Sequence, residues 1–128
     1  FTYNPVLGNI NTFGGNAVCC AASLACLNTI QEQKLTSEIE RKSRLIRDLL
    51  VHPLIRKVKG KGLMLSLDFE DTDLNMKIID ACIKNGLIVD WFLFNTHAMR
   101  ITPPLIITEE EIRKACAIII KSINEVAI

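Results

Sequence analysis

Thr12, Gly14, Gly15 and Asn16 stand close together, directly before a run of small apolar residues. The two glycines allow a tight turn and a close backbone approach to a ligand, and Asn16 is well suited to begin a helix. The free amide groups and positive dipole end of a helix N-terminus favour an anion, and the Thr12 hydroxyl adds a donor ahead of them. The stretch therefore predicts either a phosphate contact or simply a turn followed by a helix cap.

Arg100 is the second candidate for binding chemistry. It lies in the short apolar segment AMRITPPL, ahead of two prolines that restrict the backbone. A guanidinium held on a rigid strand can bind a carboxylate through two parallel hydrogen bonds. The same position also suits an arginine that points into solvent, so the segment by itself leaves both interpretations open.

The other polar residues offer weaker candidates for chemistry. The segment GKG at residues 60–62 lacks the spacing of a phosphate-binding P-loop and leads into a strand, which indicates a strand-entry turn with a solvated Lys61. His52 and His97 are far apart in the sequence, and both are predicted at the surface. No Cys or His pair has the spacing of zinc ligands, so no metal site is expected.

Composition narrows the classes of partner. The chain has 128 residues, enough for one domain with a core, and a net charge of +1, which gives no electrostatic reason to expect nucleic acid or an anionic membrane. The longest apolar stretch, AVCCAASLACL, is too short to span a bilayer, which needs about 20 residues. The five cysteines form no CxxC pair, and three of them lie among alanines. This usage favours a reducing compartment, and we expect the cytoplasm.

Hydrophobic patterns predict the elements that position these residues. Residues 17–30 are apolar nearly all round and are predicted to form a buried helix. A second helix follows, with Ser37 and Glu40 spaced as a capping box, and it ends before Pro53. Leu63, Leu65, Leu67 and Phe69 alternate with other residues, which is typical of a strand with one buried face.

The second half of the chain continues with alternating helices and strands. A helix is predicted up to Gly86, which suits a left-handed C-terminal cap, and the segments LIVDW and AMRI predict two strands. The last helix opens with a capping box of Thr108 and Glu111. It buries Ile112, Cys116, Ile119 and Ile123. This order predicts an α+β domain: a small, largely antiparallel sheet of three or four strands, covered by helices and preceded by a linking helix.

Several segments together resemble a known family. TFGGNAVCCAASLACLNTI, VKGKGLMLSLDF, NGLIVDWF and MRITPPLIITEEEI are similar, in this order, to the C-terminal part of class III pyridoxal-phosphate aminotransferases, the group of ornithine, acetylornithine and 4-aminobutyrate aminotransferases. The resemblance runs from about Pro5 to Val126 and implies the fold of pyridoxal-phosphate transferases. It also implies three parts: the end of the large domain at 1–16, a linking helix at 17–34 and the small domain at 35–128.

The resemblance implies roles for two residues. In the family, the threonine of the TFGG motif contacts the cofactor phosphate in the partner subunit of a homodimer, and Thr12 holds that position. The arginine of the R-x-x-P-P-L motif binds a substrate carboxylate, and Arg100 matches it. The implied reaction moves an amino group between an amine or amino acid and a 2-oxo acid. Many relatives have His or Ser before the threonine and Pro after the Asn, where this chain has Asn11 and Ala17, which leaves substrate preference open.

The resemblance also implies that other functional residues lie elsewhere. The family's aldimine lysine, its aspartate at the pyridine nitrogen and most of its phosphate loop lie upstream, and Lys57, Lys59 and Lys61 fall in the small-domain segment. We therefore expect no catalytic residue in this chain, which would be an inactive fragment of an aminotransferase. Two alternatives stay open: a non-catalytic α+β module that binds a small carboxylate, and a degenerate relative that serves as an interaction subunit.

Overall fold

The structure, a computed structural model, describes residues 12–127. Most of the predicted large-domain segment at 1–16 therefore lies outside the described residues. The described chain forms two compact units that divide between Lys34 and Leu35.

The first unit contains helix α1, Ala17–Glu32. It begins after Asn16, whose side-chain oxygen accepts hydrogen bonds from the amides of Val18 and Cys19, both at 3.1 Å. None of the residues of α1 is buried, and Val18 is 78 % exposed. The prediction of a buried helix is therefore wrong for the described residues. Between residues 12 and 34 the structure has no second helix or strand against which the apolar side chains could pack.

The second unit is an α+β domain with a four-stranded antiparallel sheet. The strands follow the spatial order β1-β2-β4-β3. This architecture confirms the predicted fold class. The helices are α2, Ile39–Leu49; α3, Thr72–Lys84; and α4, Glu109–Val126, and the strands are β1, Lys57–Lys61; β2, Met64–Asp68; β3, Asp90–Phe92; and β4, Asn95–Ile101.

The first hairpin differs from the sequence prediction. The segment predicted as a strand-entry turn joins two strands, because Lys61 pairs with Met64 and only Gly62 and Leu63 lie between them. Gly62 has a φ of 56°, which suits the first position of a two-residue hairpin loop. Strand β1 was not predicted, since its sequence KVKGK is polar and mostly exposed.

The second hairpin also differs in its bounds. The segment LIVDW predicts a strand at residues 87–91, but β3 begins only at Asp90, and β4 is longer than the predicted AMRI segment. The β3–β4 register shifts between Trp91 and Phe92. The two strands are joined by Leu93 and Phe94, which are exposed.

Local signals at helix ends give mixed results. The capping box of Thr108 and Glu111 is present at α4 and confirms the prediction. The helix α3 ends at Lys84, and Gly86 adopts the predicted left-handed conformation just after it, with a φ of 88°. The amide of Leu87 donates back to the carbonyl of Cys82 at 2.9 Å. The predicted box of Ser37 and Glu40 is wrong: α2 begins after Glu38, without a side-chain cap.

The helices and the inner face of the sheet enclose one core. Alternate residues of the central strands β2 and β4 point inward, where Leu65, Leu67 and Met99 are fully buried. The helices contribute buried apolar side chains at Ile46, Ile78, Ile79, Cys82, Ile112, Cys116, Ile119 and Ile123. The opposite face of the sheet is therefore left for polar side chains.

Candidate functional site

Arg100 lies on β4, inside the sheet and not in a loop. On one side it pairs with Ser66 of β2, and on the other with Asp90 of β3. Its neighbour Met99 points into the core, so the Arg100 side chain projects from the outer face, where it is 43 % exposed. The sheet thus holds the stem of this side chain while leaving the guanidinium accessible.

The guanidinium of Arg100 already binds a carboxylate from its own chain. Its Nε atom donates to Oδ1 of Asp90 at 2.8 Å, and its Nη2 atom donates to Oδ2 of the same side chain. The hydrogen bonds and the charge of Asp90 raise the pKa of Arg100 above its ordinary value. The two-point geometry that the sequence suggests for a ligand carboxylate is therefore formed internally with Asp90.

Arg100 and Asp90 line a cleft of about 410 Å³. Its wall includes Pro103 and Pro104 of the PP motif, and apart from Thr102 the other residues that line it are apolar. The remaining members are Leu87, Ile88, Val89, Ile101, Ile107, Ala115 and Ile119. A ligand with a carboxylate at one end and an apolar stem would match this lining.

A second carboxylate on the outer face is held more firmly. Asp68 of β2 is 6 % exposed, accepts a hydrogen bond from Ser66 Oγ at 2.7 Å and forms an ion pair with Lys59 of β1. Burial raises the pKa of Asp68, but the hydrogen bonds of Lys59 and Ser66 and the nearby positive charges of Lys59 and His97 outweigh it, so the pKa lies below its usual value. The carboxylate stays charged because two donors replace its lost hydration.

Sequence reasoning missed both aspartates. The alternation of β2 places Asp68 opposite the buried leucines, which is a usable signal for an outer-face position. Asp90 has a weaker signal, since its pairing with Arg100 depends on the register of β3 against β4.

Thr12 is exposed and opens the turn at residues 12–15. The amide of Asn16 closes this turn by donating to the carbonyl of Phe13 at 3.2 Å, and Gly15 has a φ of 79°. Two of the first amides of α1 are taken by the Asn16 side chain. The geometry is thus a turn with a cap, and what it can offer a phosphate is the Thr12 hydroxyl. Thr12 belongs to the first unit and Arg100 to the second.

The remaining candidates have structural contacts. The Nδ1 atom of His52 accepts from the amide of Leu54 at 3.2 Å, so this half-buried histidine shapes the loop after α2. His97 is exposed on β4. Within residues 12–127, no three His, Cys, Asp or Glu side chains are grouped so that they could hold a metal ion. No helix in the same part of the chain has the length and apolar character to cross a membrane.

Comparison with known proteins identifies the family. The model of the family described as Aminotransferase class-III matches residues 3–123. The acetylornithine aminotransferase of Elizabethkingia anophelis is 34 % identical, with a TM-score of 0.80 over 91 % of this chain and 32 % of that one. The ornithine aminotransferase of Toxoplasma gondii is 32 % identical, with a TM-score of 0.80 over 91 % of this chain and 29 % of that one.

A Bacillus anthracis aminotransferase is 27 % identical, with a TM-score of 0.80 over 92 % of this chain and 30 % of that one. The chain therefore spans less than a third of the length of these structures. The small antiparallel sheet with its helices matches their fold. The family match over residues 3–123 shows that this chain belongs to the class III aminotransferases.

Proposed function

We propose that this chain is the C-terminal part of an enzyme that moves an amino group between an amine or amino acid and a 2-oxo acid. The observation that carries this proposal is Arg100, whose guanidinium stands in two-point carboxylate geometry and which is one of the residues that line a mostly apolar cleft. The 2-oxo acid of an amino transfer always carries a carboxylate, and the amino donor carries one when it is an amino acid. Membership of the class III family supports the reaction class.

In this proposal Arg100 binds the substrate carboxylate and orients it. Two parallel hydrogen bonds fix the plane of a carboxylate, and the stem of the ligand then lies along the apolar wall near Pro103 and Pro104. Orientation of this kind lowers the entropy that a reaction must otherwise lose at its transition state. No proton transfer is assigned to a residue of this chain.

The proposed cofactor is pyridoxal 5'-phosphate. When bound, it supplies the electron sink that stabilises negative charge at the carbon carrying the amino group. The residues of this chain fit one contact to it: the Thr12 hydroxyl, exposed at the start of a glycine turn, would donate to the phosphate in the partner subunit of a homodimer. The lysine that would bind the cofactor covalently is expected outside this chain.

The arrangement of the full protein is part of the same proposal. Residues 1–16 would end the large domain, 17–34 would form the linking helix and 35–128 the small domain. The apolar side chains of Val18, Leu24 and Leu27 on α1 are more than half exposed, which supports a linking helix that is covered by further chain. All five cysteines are free, which is consistent with the proposed cytoplasmic location.

The test is a kinetic comparison in the full-length protein supplied with pyridoxal phosphate. Arg100→Ala should lower kcat/KM for carboxylate-bearing substrates by roughly 10- to 100-fold, the range expected for a hydrogen bond to a charged group. Arg44→Ala removes an equal charge from an exposed position on α2 and should change nothing. If the wild type binds carboxylates at Arg100 without transferring amino groups, the binding-module alternative replaces this proposal.

A further inference from the structure

A second cleft lies where β1, β2 and β4 meet at one end of the sheet, and we call it the basic cleft. It has a volume of about 350 Å³ and shares no lining residue with the cleft of Arg100. Its lining residues are Arg56, Lys57, Lys59, Asp68, Phe69 and His97. We propose that the basic cleft binds a small phosphate dianion, either inorganic phosphate or the phosphate group of a monoester. This site is additional to the proposed function and does not depend on it.

The first argument is that the one carboxylate among the lining residues is already saturated. Asp68 accepts a hydrogen bond from Ser66 at Oδ1, and its Oδ2 atom forms the ion pair with Lys59. Lys57 is the direct cross-strand partner of Asp68, but the ion pair is made by the diagonal neighbour Lys59. In the described part of the chain, the side chains of Arg56 and Lys57 have no hydrogen bond or ion pair. Two positive charges of the cleft are therefore left without a counter-charge.

The second argument is that the sheet fixes the backbone of these residues. The amide of Arg56 donates to the carbonyl of Asp68 at 2.9 Å, and on the other side of β2 the amide of Phe69 donates to the carbonyl of His97 at 3.0 Å. Lys57 is held by its pairing with β2. A ligand thus meets donors that are carried on a formed sheet, which reduces the entropy lost on binding.

The third argument is the match in charge and size. A phosphomonoester has a charge of about −1.5 to −2 at pH 7, which is close to the two unpaired positive charges. Guanidinium and ammonium groups are the side chains that bind phosphate oxygens most strongly. The net charge of the whole chain is only +1, so the excess of positive charge is local. A local excess suits a small anion better than a nucleic acid, whose binding needs a longer row of cations.

The experiment uses the full-length protein, loaded with pyridoxal phosphate and then dialysed, so that the probes cannot occupy the phosphate contacts of the cofactor. The probes are inorganic phosphate and glycerol 3-phosphate, and the Kd of each is measured by calorimetry at low ionic strength. We expect a Kd of about 1 mM or lower for at least one probe. Acetate, which has a single charge, should bind at least roughly tenfold more weakly.

Substitutions in the basic cleft locate the binding. Arg56→Gln and Lys57→Gln should each raise the Kd of the bound probe roughly two- to fivefold, the range of an exposed charge pair. The double variant should raise it by roughly tenfold. Lys77→Gln removes an equal charge from the exposed side of α3 and should leave the Kd unchanged. Thermal melting of each variant verifies that the fold is retained.

The outcomes decide between this site and its alternatives. Tighter binding of inorganic phosphate identifies the free ion as the ligand, and tighter binding of glycerol 3-phosphate identifies a monoester. The proposal is overturned if neither probe binds with a Kd below about 10 mM, if acetate binds as tightly, or if the double variant behaves like Lys77→Gln. Absence of amino transfer would overturn the proposed function alone, because the probes bind without reacting.

Discussion

Gly60 on β1 lies so close to β2 that a Cβ atom added to it would stand 2.1 Å from the carbonyl oxygen of Met64. Gly60 also has a φ of 113°, a conformation that other residues rarely adopt. The helix α2 holds the same strand from its other side, since Arg47 donates to the carbonyls of Val58 and Gly60, both at 2.8 Å. The edge strand β1 thus depends on one glycine and one arginine.

The first prediction concerns this contact. Gly60→Ala should lower the free energy of unfolding by more than the backbone strain alone, which costs about 1–3 kcal/mol. The clash of the new Cβ atom with the Met64 carbonyl oxygen is a second cost. Gly86→Ala is the matched control: its φ is 88°, but a Cβ atom there meets nothing within 4 Å. Urea denaturation should show a clearly larger loss for Gly60→Ala, and equal losses would contradict the predicted clash.

The second prediction concerns the cap of α1. Asn16→Ala removes the oxygen that accepts from the amides of Val18 and Cys19, which should cost about 1 kcal/mol of helix stability. Hydrogen exchange of these two amides should become faster, whereas Asn16→Asp should preserve their protection. Unchanged exchange in Asn16→Ala would mean that another group caps the helix.

The third prediction concerns the fall in the free energy of unfolding at acidic pH, to which Asp68 contributes. Because the folded state lowers the pKa of this carboxyl, its contribution is complete above the unfolded value near 4 and is lost as the pH falls through the lower folded value. Asp68→Asn should therefore flatten the loss of stability below about pH 4. At neutral pH it should cost about 1–3 kcal/mol, since it breaks a charged hydrogen bond at a buried site.

Denaturation curves between pH 2 and 7 would measure this effect. Asp73→Asn on the exposed first turn of α3 is the control. Its free energy of unfolding should fall with decreasing pH as steeply as that of the wild type. The interpretation fails if both variants show the same pH dependence.

The fourth prediction concerns the buried thiols. Burial raises the pKa of Cys116 to about 11, so only about one such thiol in a thousand is ionised at pH 8. Burial also raises the pKa of Cys82, although a hydrogen bond with Ser122 opposes it. Iodoacetamide labelling followed by peptide mass spectrometry should find both sites unmodified in folded protein and modified after unfolding in urea. Rapid labelling in the folded state would contradict their burial.

The sequence by itself determined the features that depend on neighbouring residues. The capping box of Thr108 and Glu111, the left-handed conformation of Gly86 after α3 and the alternation of Leu65 and Leu67 all appear as predicted. Each rests on contacts within a few residues, or on a period that one buried face imposes. Together they were sufficient to predict the α+β fold and to place Arg100 on a strand.

The tertiary structure alone decided the features that depend on distant partners. The polar strand β1 exists because it pairs with β2 and accepts hydrogen bonds from Arg47, neither of which its own sequence reveals. The exposure of α1 likewise depends on what packs against it, so an all-apolar pattern could not predict it. The Asp90–Arg100 pair depends on the register between β3 and β4. A shift of β3 by one residue would move the Asp90 side chain to the opposite face of the sheet, away from Arg100.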